Sequence, residues 1–291
     1  GRDAVGLMIF DGGFLCSGAL LNDVDANTFA GYFLTANHCI STQSSANSLT
    51  VYWFYQPGTC GGAVPPLSLR PKSIGAKLLA TSSLSDFSFL RFNNDPEDGQ
   101  GFAAWTTAIP ASSGAAVQGI HHPGGSWKRF SSGLTTTASP ICGTLPTSRF
   151  VYNDWSLGIT EGGSSGSPLF NASWEVVGQL YGVCYFNTPG CTNPQDYNNV
   201  YGRFSQSYTS FSSYLNAIIP DDAYESNDSI AEAPVLGQGS YALRLVDYDD
   251  YFKMVFGSDA DVTLSASFST TSMDLDLYLL NETGGIVATS A

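Results

Sequence analysis

A chain of 291 residues with 43% apolar content can bury a sizeable core and has room for more than one domain, which excludes a mostly disordered protein. No apolar run approaches the ~20 residues of a membrane-spanning helix, and a net charge of −14 excludes the basic footprint that nucleic acid demands. The charge is uneven: residues 221–291 hold 13 Asp/Glu against 2 Lys/Arg, a net −11, and residues 1–220 carry the remaining −3. That asymmetry sets a domain break near Pro220, with expected units at 1–219 and 220–291. The acidic surface otherwise reads as a means of staying soluble. With neither an initiator Met nor a basic-then-apolar leader at its start, the chain reads as a processed fragment.

In chain order, Gly1 to Phe10 is apolar, and Asp11-Gly12-Gly13 turns into a strand over Phe14 to Leu21. An Asn/Asp-rich turn, Asn22 to Asn27, leads to an apolar strand from Tyr32 that ends at His38. Val51 to Gln56 is β-branched and aromatic, and short strands at Leu78 to Thr81 and Phe87 to Phe92 flank Asp86. Further strands are predicted over Val117 to His121, Arg129 to Ser132, Phe150 to Tyr152, Pro168 to Phe170, Glu175 to Tyr181 and Asn199 to Phe204. Short strands separated by Gly, Pro, Ser and Asn indicate an all-β sandwich or barrel. In Ser210 to Ile219, Phe211, Tyr214, Leu215 and Ile218 have helical spacing, and Pro220-Asp221-Asp222 stops the run.

The stretch Glu161-Gly162-Gly163-Ser164-Ser165-Gly166-Ser167-Pro168 suits a tight turn feeding a strand. Glycines there let backbone N–H groups crowd around a ligand atom, as an exposed hydroxyl beside two amides aimed at an oxyanion requires. A hydroxyl nucleophile needs a base, and the chain has three histidines: His38, His121 and His122. His38 closes the strand in Thr35-Ala36-Asn37-His38-Cys39, and Ser85-Asp86-Phe87 offers an acid between base and hydroxyl. The order His, Asp, Ser is that of one version of the serine triad. His121 and His122 could suggest a metal pair, but adjacent strand residues face opposite sides, so both are read as structural. Six cysteines without a Cys-x-x-Cys pair fit disulfides better than zinc, with fifteen pairings open. Cys184 and Cys191 bracket a short turn that makes a local bridge easy.

These segments resemble the trypsin/chymotrypsin-like serine proteases, and in particular the secreted bacterial lysyl endopeptidases. The likeness is carried by Tyr32 to Cys39, Val51-Tyr52-Trp53-Phe54-Tyr55-Gln56, Ser85-Asp86-Phe87, Ile120-His121-His122-Pro123, Thr160 to Pro168, Val177 to Gly182 and Tyr201-Gly202-Arg203. The resemblance implies two six-stranded antiparallel β-barrels with the site in the cleft between them, closed by the 210–219 helix. It implies Ser165 as nucleophile, His38 as base and Asp86 as the acid orienting it, with an oxyanion hole from the Gly163 and Ser165 N–H groups. It also implies Cys39–Cys60, which leaves Cys16–Cys142 beside Cys184–Cys191, whereas the animal-type pattern would join Cys16 to Cys39. Ser164 stands where animal trypsins carry the Asp that binds a new N-terminus, so Gly1 is not expected to act as an activation switch.

Thr160, Glu161, Tyr181, Gly182, Asp196 and Asn199 are the expected substrate-pocket residues. Lysyl endopeptidases place an Asp two residues before Tyr-Gly-Arg and a His on the pocket strand; here these positions hold Asn199 and Tyr181. Preference for a basic residue before the scissile bond is expected to survive through Asp196, or through Glu161, and the competing expectation is a neutral or apolar one. Residues 220–291 resemble the start of a bacterial pre-peptidase C-terminal domain, a β-sandwich, through Tyr224 to Ser229, Asp247 to Phe252 and Met273 to Leu279. Its carboxylates could suit Ca²⁺, but a solvated acidic face is the preferred reading, and no cofactor is expected. The expected protein is a secreted, extracellular bacterial serine endopeptidase, a monomer acting on protein or peptide substrates without nucleic-acid or membrane partners. The rival of a different class is a catalytically inactive binding protein on the same scaffold.

Overall fold

The structure, a computed structural model, describes residues 1–25, 30–59, 61–94, 96, 99–137, 145–185, 197–217, 229–237, 239–241, 251–255, 263, 265, 278–281 and 283–289. Two compact units divide the chain, residues 1–24 with 30–217 and residues 25–29 with 218–291. No helix among the described residues is long and apolar enough to cross a membrane.

The first unit is built from two antiparallel sheets. One contains β1 (Val5–Phe10), β2 (Phe14–Leu20), β3 (Tyr32–Thr35), β4 (Thr50–Tyr52), β5 (Lys72–Ile74), β6 (Ala76–Ser82) and β7 (Phe87–Phe92) in the order β5-β4-β1-β2-β3-β7-β6. Hydrogen bonds leave this sheet open, but its two edges are neighbours in sequence: β5 and β6 are separated only by Gly75, at φ +70°. The chain itself therefore closes the curl, as one strand bent at that residue. Val51 to Gln56, predicted as a strand, keeps strand geometry only to Tyr52, and Phe54 turns the chain away at φ +52°. Between β3 and β4, α1 (Gln43–Ser48) was not foreseen; Thr42 caps it, its hydroxyl accepting the Ser45 N–H at 3.2 Å.

The second sheet is a closed barrel in the order β10-β13-β12-β11-β8-β9. Its strands are β8 (Ala116–His121), β9 (Arg129–Thr136), β10 (Phe150–Leu157), β11 (Pro168–Asn171), β12 (Val176–Tyr185) and β13 (Tyr197–Arg203). Alternation along β10 turns Val151, Asn153 and Trp155 into the barrel, where Val151 and Trp155 join Val117, Leu169, Val177, Leu180 and Tyr201 in its core.

A further core lies between the sheets and fixes their docking. Val5, Ala19, Leu34, Phe87 and Phe89 from the first sheet meet Ile120, Phe170 and Val176 from the barrel. Phe204, Phe211 and Leu215 seal it, with the Phe89 and Phe211 rings stacked at 4.2 Å. Each such side chain contributes about 1.5–3 kcal/mol by leaving water. The helix predicted over 210–219 is observed only as α3 (Ser212–Leu215), which follows two short turns, α2 (Phe204–Ser207) and a 3-10 turn (Tyr208–Ser210). The segment is rich in Ser and Thr, which favour turns over helix interiors, so the packing of Phe204, Tyr208, Phe211 and Leu215 carries it instead. Ile218 and Ile219 lie outside the described residues.

One disulfide corrects the expected pairing. Cys16 is bonded to Cys39, Cα–Cα 6.4 Å, which rules out both Cys39–Cys60 and Cys16–Cys142. The cause is strand pairing: β2 and β3 are antiparallel neighbours through Ala19↔Leu34 and Leu20↔Phe33, so Cys16 and the turn after β3 meet. Cys60 and Cys142 lie outside the described residues; Cys184 is disulfide-bonded, and its expected partner Cys191 lies outside them too. In the second unit β14 (Tyr278–Leu280) pairs antiparallel with β15 (Ile286–Thr289). Asp247, Asp249, Asp250, Asp274 and Asp276, the carboxylates weighed for calcium, fall outside the described residues.

Candidate active site

His38 sits in the turn after β3, and Asp86 in the tight 83–86 turn between β6 and β7. Because β3 and β7 are hydrogen-bonded neighbours through Thr35↔Ser88, the two turns emerge side by side at one end of the sheet. The Asp86 carboxylate, 3% exposed as a residue, grips His38 twice. Its Oδ1 accepts the His38 backbone N–H at 2.9 Å and its Oδ2 meets Nδ1 at 2.8 Å. A carboxylate can only accept here, so Nδ1 carries the proton and the Nε2 lone pair faces outward. Asp86 holds φ +54°, a left-handed conformation that is uncommon outside glycine and recurs at functional sites. The Gln179 side chain of β12 secures the turn by donating to the Ser85 carbonyl at 2.8 Å.

Ser165 comes from the other sheet, in the loop between β10 and β11. It is brought to His38 by backbone contacts: the Ser17 N–H of β2 donates to the Ser165 carbonyl at 2.8 Å, and the Gly166 N–H donates to Leu180 at 2.8 Å. Gly166 lies so close to the His38 turn that a Cβ there would come within 2.1 Å of Thr35 Oγ1 and 2.8 Å of the Ala36 nitrogen. Its φ of +78° compounds the restriction. Gly166→Ala is therefore expected to destabilise the chain by on the order of 3 kcal/mol. Urea unfolding would measure this, and an unchanged midpoint would show that the approach is looser than described.

The same loop presents two backbone donors. Gly162 O accepts from the Gly124 N–H at 2.6 Å, and Ser164 O accepts from the Ser167 N–H at 3.0 Å. In a trans peptide the N–H points opposite the carbonyl. Gly163 N–H and Ser165 N–H are therefore turned away from those anchors, and neither donates a hydrogen bond among the described residues. Gly163, at φ +90°, has no room for a Cβ: the His122 carbonyl would lie at 2.9 Å and the Gly124 nitrogen at 3.1 Å. These are the two donors expected for an oxyanion hole. No hydrogen bond joins Ser165 Oγ to His38 Nε2 among the described residues; such contacts commonly tighten only when substrate binds.

The expected pocket residues are divided. Asn199 on β13 is buried; its Oδ1 accepts the Thr160 hydroxyl at 2.5 Å and its Nδ2 donates to Asn153 O at 3.3 Å. Thr160 and Asn199 pack beside Trp155 and Ile159, with no space between them large enough for a water molecule. Tyr181 is half-exposed and meets the His38 ring edge-on, centroids 6.1 Å apart. Gly182 follows it at the β12–β13 register shift. Glu161 is exposed, and Asp196 lies outside the described residues.

His121 and His122 are buried at the back of the oxyanion loop. Burial holds both rings neutral, pushing His121 down to about 4, with Arg129 nearby, and His122 down to about 3, with Lys128 nearby. Sequence reasoning missed Ser17, whose hydroxyl accepts the His122 N–H and donates to Gly163 O, both at 2.9 Å; a lone serine in an apolar strand gives no such signal. Sγ of Cys16 and Cys39 lie near His38, but both sulfurs are spent in the disulfide, so the cluster is not a metal site.

A closed six-stranded antiparallel barrel beside a second curled sheet, with His and Asp from one and a Ser turn from the other, defines the chymotrypsin-like fold class. Within that class the chain belongs to the family described as "Lysyl endopeptidase, C-terminal domain", whose pattern matches residues 2–202. It is 32% identical over 221 residues to a lysyl endopeptidase of Pseudomonas aeruginosa, covering 73% of this chain and 47% of that protein. It is 29% identical over 195 residues to secreted RxLR effector protein 73 of Plasmopara viticola, covering 62% of this chain and 43% of that protein. The chain thus spans about half the length of the curated relatives it matches, or slightly less. Among solved structures, a Glu endopeptidase in complex with MPD aligns with a TM-score of 0.49 at 16% identity, over 73% of this chain and 90% of that one.

Proposed function

We propose that this chain is a secreted serine endopeptidase that cleaves peptide bonds through an acyl-enzyme at Ser165. The observation that carries the reading is the double grip of Asp86 on His38, which fixes the one tautomer able to take a proton from a serine. In this reaction Ser165 Oγ attacks the scissile carbonyl while His38 Nε2 takes its proton. The Gly163 and Ser165 N–H groups hold the resulting oxyanion, and His38 returns the proton to the leaving amine. Water then repeats the sequence and frees the acid. An inactive scaffold would have no use for this combination of buried carboxylate, oriented imidazole and outward N–H pair.

The residue accepted before the scissile bond is neutral in this reading. Of the expected pocket residues, Thr160 and Asn199 pack with Trp155 and Ile159, and the Asn199 amide is already committed to Thr160 and Asn153. A Lys ammonium leaving water needs a carboxylate partner, and none is among these four residues. The name of the Pseudomonas relative favours a second reading, cleavage after Lys, with Asp196 or Glu161 supplying the charge.

Cleavage of a denatured protein mixture, with new ends read by mass spectrometry and Ser165→Ala as control, tests both. Cuts after neutral residues are expected, and Asn199→Asp should shift preference toward Lys by roughly 10- to 100-fold, the scale of a buried charge pair. Cuts after Lys or Arg that vanish in Asp196→Asn would replace the neutral reading. No cuts, and no covalent labelling by a serine-directed phosphonate, would overturn the protease assignment.

A further inference from the structure

Three nearly consecutive residues of the β8 end tether three consecutive residues of the oxyanion loop. The Gly124 N–H holds Gly162 O at 2.6 Å. His122, through the Ser17 hydroxyl, holds Gly163 O. His121 Nδ1 meets Ser164 Oγ at 2.8 Å, and its Nε2 meets Ser131 Oγ on β9 at 2.9 Å. Ser164 Oγ also accepts the Glu161 N–H at 3.1 Å, while the Ser164 N–H donates to Glu161 O at 3.0 Å. Ser164 lies between the two residues whose N–H groups face the substrate. The rotation of its backbone therefore sets the angle between those two donors.

We propose that His121 is a positioning residue for the oxyanion hole: its imidazole, strung between Ser131 on the barrel wall and Ser164 in the loop, holds the Gly163 and Ser165 N–H groups convergent. The proposal rests on the protease reading given above. The hydrogen-bond count fits a neutral ring. Ser164 Oγ accepts from Glu161, its single proton goes to His121 Nδ1, and His121 Nε2–H donates to Ser131 Oγ. A doubly protonated ring would leave the Ser164 proton without an acceptor. An imidazole spans this gap because its two nitrogens lie in one rigid planar ring and point outward in diverging directions within that plane, so the barrel wall fixes the loop without a rotatable link. Oxyanion stabilisation falls steeply when donors lose alignment, and removing one donor outright typically costs 10²–10³ in rate.

The test uses the full chain, p-nitrophenyl acetate as a substrate that needs no side-chain pocket, and a fluorophosphonate whose phosphoryl oxygen occupies the hole. His121→Phe keeps the ring volume and removes both nitrogens; Ser164→Ala breaks the same link from the other side. Each should slow acylation and labelling by roughly 10- to 100-fold at unchanged half-saturation. The double variant should lose no more than the worse single one. His121→Asn, which can still meet Ser164, should recover most of the rate, an effect that mere cavity filling would not produce. If His121→Phe does not fold, Ser164→Ala and His121→Asn carry the comparison. Rates within twofold of the unaltered chain in folded variants, additive losses, or no recovery in His121→Asn would overturn the proposal. Labelling of the unaltered chain at Ser165 reads the protease assignment separately: its absence would bring down both, and its presence with indifferent variants only this one.

Discussion

Asp86→Asn is expected to lower kcat by about four orders of magnitude, the scale seen when a triad histidine is locked in the wrong tautomer, while KM and the fold hold. The reason is the double grip. One carboxylate oxygen accepts the His38 backbone N–H and the other faces Nδ1. An asparagine has one acceptor and one donor for these two positions. The backbone N–H cannot change its role, so it claims the amide oxygen and leaves the NH₂ group facing Nδ1. The ring can meet that donor only by moving its proton to Nε2, where the lone pair for Ser165 should be. The opposite amide rotamer would set a donor against the backbone N–H in a buried site, which costs more than a tautomer change. Asn tolerates the left-handed backbone of Asp86, so the turn should survive. Steady-state kinetics beside a thermal melt would check this. A loss of less than tenfold in a folded variant would mean that Asp86 does not control the tautomer of His38.

Chemistry was easier to read from the sequence than connectivity, and the residues show why. His38, Asp86 and Ser165 each sit in a short turn flanked by apolar strand residues, so local patterning marks them, and their order names the arrangement. Cys16 and Cys39 were misassigned because a disulfide depends on which strands are neighbours. The β2–β3 pairing that joins them leaves no local trace. The 210–219 segment was half legible. Spacing picked out Phe211 and Leu215, which are buried, but the strength of the inter-sheet core, and not helix propensity, decides how such a Ser/Thr-rich run is held. The open order of the first sheet was hidden because one bent strand serves both edges at Gly75. His121 and His122 were read as structural residues facing opposite sides of a strand; both rings are buried, and His122 lies just past the strand's end. Their partners Ser164, Ser131 and Ser17 come from three other parts of the chain, so no spacing rule could connect them.

Those same histidines make the chain acid-labile well above the range where carboxylates protonate. Burial depresses His121 from 6.5 to about 4 and His122 from 6.5 to about 3, with Arg129 and Lys128 adding repulsion of the charged forms. The folded state keeps both rings neutral while the unfolded chain protonates near 6.5. Their contribution is therefore complete above that value and is lost as the pH falls toward the folded values. Between pH 7 and pH 5 each ring should cost about 2 kcal/mol, roughly 4 kcal/mol together. That is a large share of an ordinary domain's stability of about 5–15 kcal/mol. Asp3, held below the usual carboxylate range by Arg2, adds a loss of the same sign at lower pH. Urea midpoints of the Ser165→Ala chain, chosen to prevent self-digestion, should fall steeply from pH 7 to pH 5. His121→Asn should remove about half of that slope while keeping the link to Ser164. Equal midpoints at the two pH values would mean that water or a compensating carboxylate reaches the rings, and that the back of the oxyanion loop is not the dry, neutral wall described above.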